Sequence, residues 1–120
     1  ATILPEYSEA NGNMVELIIC NNDGMAEGAV SALQGAGYNT GDGKTIPVFG
    51  VDATDSAKQL INEGKMTGTI KQDAEGMAST ILNLVSSVQG GGELMDNTSS
   101  FNVDEGVAKI RVPYATYTGE

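Results

Sequence analysis

Ile46-Pro47-Val48-Phe49-Gly50-Val51-Asp52 is the stretch on which the reading of this chain turns. It is an apolar, β-branched run that stops abruptly at a carboxylate, and Ala53-Thr54-Asp55 open a helical pattern directly after it. The same order recurs on either side. Upstream, Val15-Glu16-Leu17-Ile18-Ile19-Cys20 gives way to Asn21-Asn22-Asp23 and a helical pattern; downstream, Gly68-Thr69-Ile70-Lys71 gives way to Gln72-Asp73 and a third. A buried run that ends in a planar polar side chain and passes into a helix reads as a strand presenting that side chain at its carboxyl end. Three of them predict an α/β fold, a parallel sheet with flanking helices. Its rim carries Asn22, Asp52 and Gln72 where open α/β sheets bind ligands.

Working outward, Ile3, Leu4 and Tyr7 at helical spacing predict the end of a helix running into the breaker Asn11-Gly12-Asn13. Met14 to Cys20 predicts a strand, and the apolar succession Leu17 to Cys20 implies burial on both faces. Asp23 is a candidate N-cap for a helix over Gly24 to Gln34, with Met25, Ala29, Ala32 and Leu33 facing inward. Tyr38 to Thr45 is a polar loop. Ala57, Leu60 and Ile61 mark a second helix that stops near Asn62-Glu63-Gly64. A short strand, Thr67 to Lys71, precedes a third helix over Ala74 to Ser87, with Met77, Ile81, Leu84, Val85 and Val88 on one face. Gly90-Gly91-Gly92 ends it, in the wrong order for a phosphate cradle, which needs strand, glycines, then helix. Phe101 to Gly106 predicts a short extended piece and a turn. The alternating run Ala108 to Tyr114 predicts a strand whose Pro113 forces an edge position or a departure from the sheet.

The 120 residues allow one domain with a modest core, or part of a larger one. Sixteen acidic residues against 6 basic give a net charge of −10, a field that repels polyanions and argues against nucleic acid as a partner. Cys20 stands alone inside an apolar run, a small buried hydrophobe that excludes an internal disulfide. There is no His, so the familiar nucleophile-and-base and zinc constellations are missing. The chain opens at Ala1 without a starting Met or a secretory leader, which reads as a processed product or an excised piece.

Asn22, Asp52 and Gln72 are the strongest candidate site. Sugar hydroxyls call for planar groups that engage neighbours in pairs, the carboxylate accepting and the carboxamides both donating and accepting. The competing reading is that each residue merely caps the helix that follows. Asn21, Asp23 and Asp73 offer alternative caps, which weakens that reading for the set. Glu16, at the opposite end of the first strand, is either a solvated charge or a late calcium ligand, since calcium gathers several oxygens.

The run Val15 to Ala26, with Gly28-Ala29-Val30 and Ala32-Leu33, resembles the C-terminal third of the periplasmic galactose/glucose-binding protein family. Ile46 to Ala53, Gly68-Thr69-Ile70 with Gln72-Asp73-Ala74, and Arg111-Val112-Pro113-Tyr114 continue the likeness at the family's spacing. The resemblance implies an extracytoplasmic receptor that binds a hexose, galactose or glucose, and delivers it to the membrane permease of an ABC importer, without enzymatic activity. It implies that Asn22 and Asp52 contact the sugar and that Gln72 stands where the family usually has a ligand Asn. It also implies that Glu16 completes a calcium site whose other ligands, like the aromatic residues stacked on the sugar, lie upstream of this chain.

That family is two-lobed, which implies that residues 1–71 belong to the C-terminal lobe, 73–112 to the N-terminal lobe, and 113–120 to the returning hinge. The third helix would then lack its packing partners, and exposure of Ile81, Leu84 and Val85 predicts repacking on the chain's own sheet or exchange of elements with a second copy. Two rival readings share the strand pattern. One is the effector-binding core of a sugar-responsive repressor; the other, with Asp52 as a phosphoacceptor, wants a Lys after the third strand, where Gln72 stands.

Overall fold

Each of the three apolar runs forms a strand followed by a helix. A computed structural model describes residues 2–104 and 106–120. In chain order the elements are β1 (Ile18–Ile19), α1 (Asp23–Gly35), β2 (Val48–Val51), α2 (Asp55–Asn62), β3 (Gly68–Lys71), α3 (Ala74–Gln89), β4 (Asn102–Val103), β5 (Ile110–Arg111) and β6 (Ala115–Tyr117). They fall into two units, Ala1–Lys71 with Ala115–Glu120, and Gln72–Tyr114. Among the described residues no helix is long and apolar enough to cross a membrane.

In the first unit the sheet order is β1-β2-β3-β6. β1, β2 and β3 run parallel, with Ile19 opposite Phe49 and Val51 opposite Ile70. β6 closes the far edge antiparallel to β3, pairing Thr69 with Tyr117, Ile70 with Thr116 and Lys71 with Ala115. Gly68 permits this approach: a Cβ there would sit 3.1 Å from the Tyr117 carbonyl oxygen. Of the predicted strand over Ala108 to Tyr114 only Ile110–Arg111 forms β5; the ladder stops before Pro113, and β6 begins beyond the predicted range at Ala115. Proline has no N–H to give a ladder, which explains the departure.

Ala26, Val30 and Leu33 of α1, Ala57 and Ile61 of α2, and Ile46, Val48 and Met66 make one buried cluster on one side of the sheet. Burying a Leu or Ile side chain contributes about 1.5–3 kcal/mol, so this cluster is the main stabilising term of the unit. The buried stripe of α1 is Ala26, Val30 and Leu33; of the expected inward residues Leu33 is in the core and Ala29 packs against it half-buried, whereas Met25 is exposed. Within this unit no helix covers the other sheet face, where a hollow of about 320 Å³ is lined by Ile19, Phe49, Val51, Ile70 and Thr116. Ile19 is accordingly 75% exposed, and the expected burial of the first strand on both faces is not met. β1 is also shorter than Met14 to Cys20, because an edge strand with one partner keeps only the residues that register with β2.

The loop before β2 is more ordered than its polar composition suggests. Asn39 is buried, and its side chain accepts from the Ile46 N–H at 2.8 Å while donating to the carbonyls of Ile46 at 2.8 Å and Lys65 at 3.0 Å. The N-terminal segment is not the end of a helix: Tyr7 N–H donates to the Ile3 carbonyl at 2.9 Å in a single turn, and a 3-10 helix spans Glu9–Asn11. The parts of these expectations that fall on Ala1 and Glu105 lie outside the described residues.

The second unit holds α3 and an antiparallel β4–β5 pair, in which Asn102 faces Arg111. Arg111 bonds Asp104 at 2.7 Å across this hairpin, and the guanidinium holds the Asp104 carboxyl below its usual range. On α3 only Thr80 is buried. Ile81 and Leu82 are 61% and 67% exposed, and Leu84 is half-buried.

Candidate functional site

The candidate residues each follow the carboxyl end of a parallel strand. Asn22 and Asp52 each lie three residues beyond a register pair, Ile19 and Phe49, so the sheet delivers them from the ends of adjacent strands of the first unit. Both are exposed. Gln72, also exposed, directly follows β3, the strand that pairs with β2 on its other side, and it is the first residue of the second unit.

The helix caps separate the candidates. Asn22 itself caps α1, its Oδ1 accepting from the Met25 N–H at 2.9 Å. The expectation that Asp23 would do so is corrected. The cap uses only the carbonyl oxygen of the Asn22 side chain, and the Nδ2 donors lie outside that bond. At α2 the cap is Thr54, whose Oγ1 accepts from the Ala57 N–H at 3.2 Å, and at α3 it is Asp73, accepting from the Gly76 N–H at 2.9 Å. Capping therefore accounts for Asn22 and for neither Asp52 nor Gln72.

Asp52 stands on unusual backbone. Its φ is 116° and that of Ala53 is 54°, both in the left-handed half that residues with a Cβ avoid. Such conformations cost about 1–3 kcal/mol each and persist only where the surroundings over-determine them. Here all three amides of the turn are used: Asp52 N–H donates to the Ile70 carbonyl at 2.8 Å, Ala53 N–H to Thr69 Oγ1 at 3.3 Å, and Thr54 N–H to Asp23 Oδ2 at 2.8 Å. Thr69 Oγ1 in turn donates to Asp23 Oδ1 at 2.6 Å. Asp23 has no solvent exposure. Gly50 makes the room: a Cβ on that residue would collide with Asp23 Oδ1. The carboxylate of Asp23 is thus enclosed between β2, β3 and the entry to α2. Sequence reasoning missed this residue, taking it for the cap.

Glu16 is exposed and precedes β1, at the opposite end of the strand from the rim. It lines a cleft with Glu9, Tyr38 and Lys44, but Lys44 Nζ pairs with Glu9 at 2.6 Å. Among the described residues no three His, Cys, Asp or Glu side chains gather to hold a metal ion. Glu9 and Glu16, the carboxylates on this cleft, fall short of the 6 or more oxygens calcium takes. In the second unit, Gln72 shares a groove of about 790 Å³ with Asn102, Lys109, Arg111 and Tyr114.

Comparison with known proteins gives the same architecture a context. Residues 2–93 match the family described as periplasmic binding protein domain. The D-galactose/methyl-galactoside binding periplasmic protein of Haemophilus influenzae is 35% identical over 107 residues, 89% of this chain and 30% of that protein. The multiple sugar-binding periplasmic receptor ChvE of Rhizobium radiobacter is 29% identical over 104 residues, covering 87% of this chain and 28% of the receptor. The D-allose-binding periplasmic protein of Escherichia coli is 28% identical over 95 residues, 78% of this chain and 29% of that protein. The chain spans less than a third of the length of each of these relatives.

Proposed function

This chain belongs to the periplasmic binding protein family, an extracytoplasmic class of binding proteins rather than enzymes, and from that premise we propose that it is part of a two-lobed receptor capturing a hexose for an ABC importer. In this reading the first unit belongs to the C-terminal lobe and the second to the N-terminal lobe. Asn22, Asp52 and Gln72 are the polar ligands, and galactose or glucose is the sugar. The relative named for galactose supports that choice; relatives named for allose and for multiple sugars make the chemical class firmer than the particular hexose. The importer's membrane permease is the partner that receives the loaded protein. A calcium site completed by Glu16 rests on family resemblance, with the remaining ligands supplied from outside this chain.

The observation that carries the proposal is Asp52. It leaves capping of α2 to Thr54 and stands exposed beyond β2 on a backbone whose φ of 116° has to be held in place by its neighbours. A fold that sustains such strain at a strand end does so for the position of the side chain. A carboxylate fixed there accepts from two adjacent sugar hydroxyls, and the Nδ2 group of Asn22, one strand over, donates to a third.

Titration calorimetry with glucose and galactose on the full-length receptor tests it. Asp52→Ala should cost about 2 kcal/mol or more, because hydroxyls would be desolvated without an acceptor. Unchanged affinity would end the assignment of Asp52. Preference for a different hexose, with Asp52→Ala still damaging, would overturn only galactose and glucose.

A further inference from the structure

We infer that Asp23 is a positioning residue for the sugar site: with Thr69, it clamps the Asp52–Thr54 turn and thereby fixes where the Asp52 carboxylate is presented. The inference rests on Asp52 being a ligand, and it adds a residue that touches no sugar. Asp23 is fully enclosed, and its two carboxylate oxygens are spent on two different elements, Oδ1 on the Thr69 hydroxyl of β3 at 2.6 Å and Oδ2 on the Thr54 N–H at 2.8 Å. The Thr69 oxygen then accepts from the Ala53 N–H at 3.3 Å. Both amides that follow Asp52 are thus tied, directly or through one hydroxyl, to a single buried carboxylate.

A structural carboxylate could have bridged any two elements. This one grips the two residues after Asp52, one of which, Ala53, shares its left-handed backbone at φ 54°. Without acceptors for those amides the turn would relax toward ordinary φ values, and the side chain of Asp52 would swing with it. Gly50 belongs to the same device. The absent Cβ is the space in which the Asp23 carboxylate lies.

Thr69→Val keeps shape and removes the hydroxyl; Thr69→Ser keeps the hydroxyl; Asp23→Asn turns one acceptor into a donor. Amide hydrogen exchange on the isotope-labelled chain reads the clamp without any ligand. Ala53 and Thr54 should be protected in the wild type although they lie in a turn. Thr69→Val should speed exchange at Ala53 by about tenfold or more, with the amides of Ile18 and Val48 unchanged, the loss of one hydrogen bond. Asp23→Asn should speed Ala53 or Thr54, and Thr69→Ser should restore the wild-type pattern. Calorimetry on the full-length receptor supplies the second arm: Thr69→Val should weaken hexose binding about tenfold, and Thr69→Ser should rescue it.

Fast exchange at Ala53 and Thr54 in the wild type, or a uniform rise across Ile18, Val48 and the turn in Thr69→Val, would overturn the clamp. Selective loosening of the turn with affinity untouched would leave the clamp standing and overturn the positioning role of Asp23. If the wild-type receptor takes up no hexose, the receptor reading falls by itself, and the exchange pattern alone decides whether Asp23 holds this turn.

Discussion

The two units use similar apolar sequence to opposite ends. In the first, Ala26, Val30, Leu33, Ile46, Val48, Ala57, Ile61 and Met66 close on one another, and the polar groups among them, Asp23 and Asn39, spend their hydrogen bonds on backbone and hydroxyl partners. In the second, α3 carries Met77, Ile81, Leu84, Val85 and Val88 at helical spacing, yet Thr80 is its only buried residue, and Asn83 Oδ1 is enclosed with no hydrogen-bond partner. The periodicity is sound in both. What differs is a second layer to receive it, since an amphipathic face becomes a core only when another element covers it.

The comparison is broken most directly by truncating one apolar residue in each unit. Leu33→Ala should cost about 2–5 kcal/mol in urea or thermal unfolding, because the site is fully enclosed and can collapse only in part. Val85→Ala, on an exposed stretch of α3, should stay within about 0.5 kcal/mol. Equal losses would mean that α3 is covered in solution.

A smaller effect separates an open α3 from one that another copy covers. We expect the chain to gain mass with concentration in light scattering through exchange or docking of this helix, and Ile81→Lys with Leu82→Lys to hold it monomeric without lowering its unfolding temperature. A wild-type chain that stays monomeric at high concentration would refute the exchange. The smallest effect concerns Cys20, which packs half-buried against the first unit's core. Burial pushes its thiol up. Less of it is thiolate at neutral pH than for an ordinary cysteine, so alkylation should lag a model thiol and keep accelerating above pH of about 8.5, where the model levels off. A profile matching the model thiol would show that the packing around β1 is loose.

Strand order along the chain, the three parallel strands and the three helices were legible because each apolar run carries its own period and its own stop. The face of α1 was misjudged by one step: Met25 and Ala26 fit a stripe about equally well, and only contact with β2 chooses between them. One-sided burial of β1 was invisible in Leu17-Ile18-Ile19-Cys20, since a run apolar on both sides does not say which side is covered. Asp52 and Gln72 could be named from their places at strand ends. The role of Asp23 could not, because it depends on Gly50 and Thr69, 27 and 46 residues away in the chain, and nothing local marks a missing Cβ as a carboxylate's berth. The buried Asn39 was lost for a similar reason, its partners Ile46 and Lys65 being brought to it by the fold.

The pairing of Lys71 with Ala115 has a consequence for engineering. β3 and β6 are antiparallel neighbours, aligned as the two arms of a hairpin whose tip has been opened to admit the whole of Gln72–Tyr114. An Asn-Gly tip of the tight two-residue kind would rejoin those arms in the same alignment. The excised protein would keep the entire four-stranded sheet and its core while shedding α3, a minimal scaffold on which the turn at Asp52 could be studied alone.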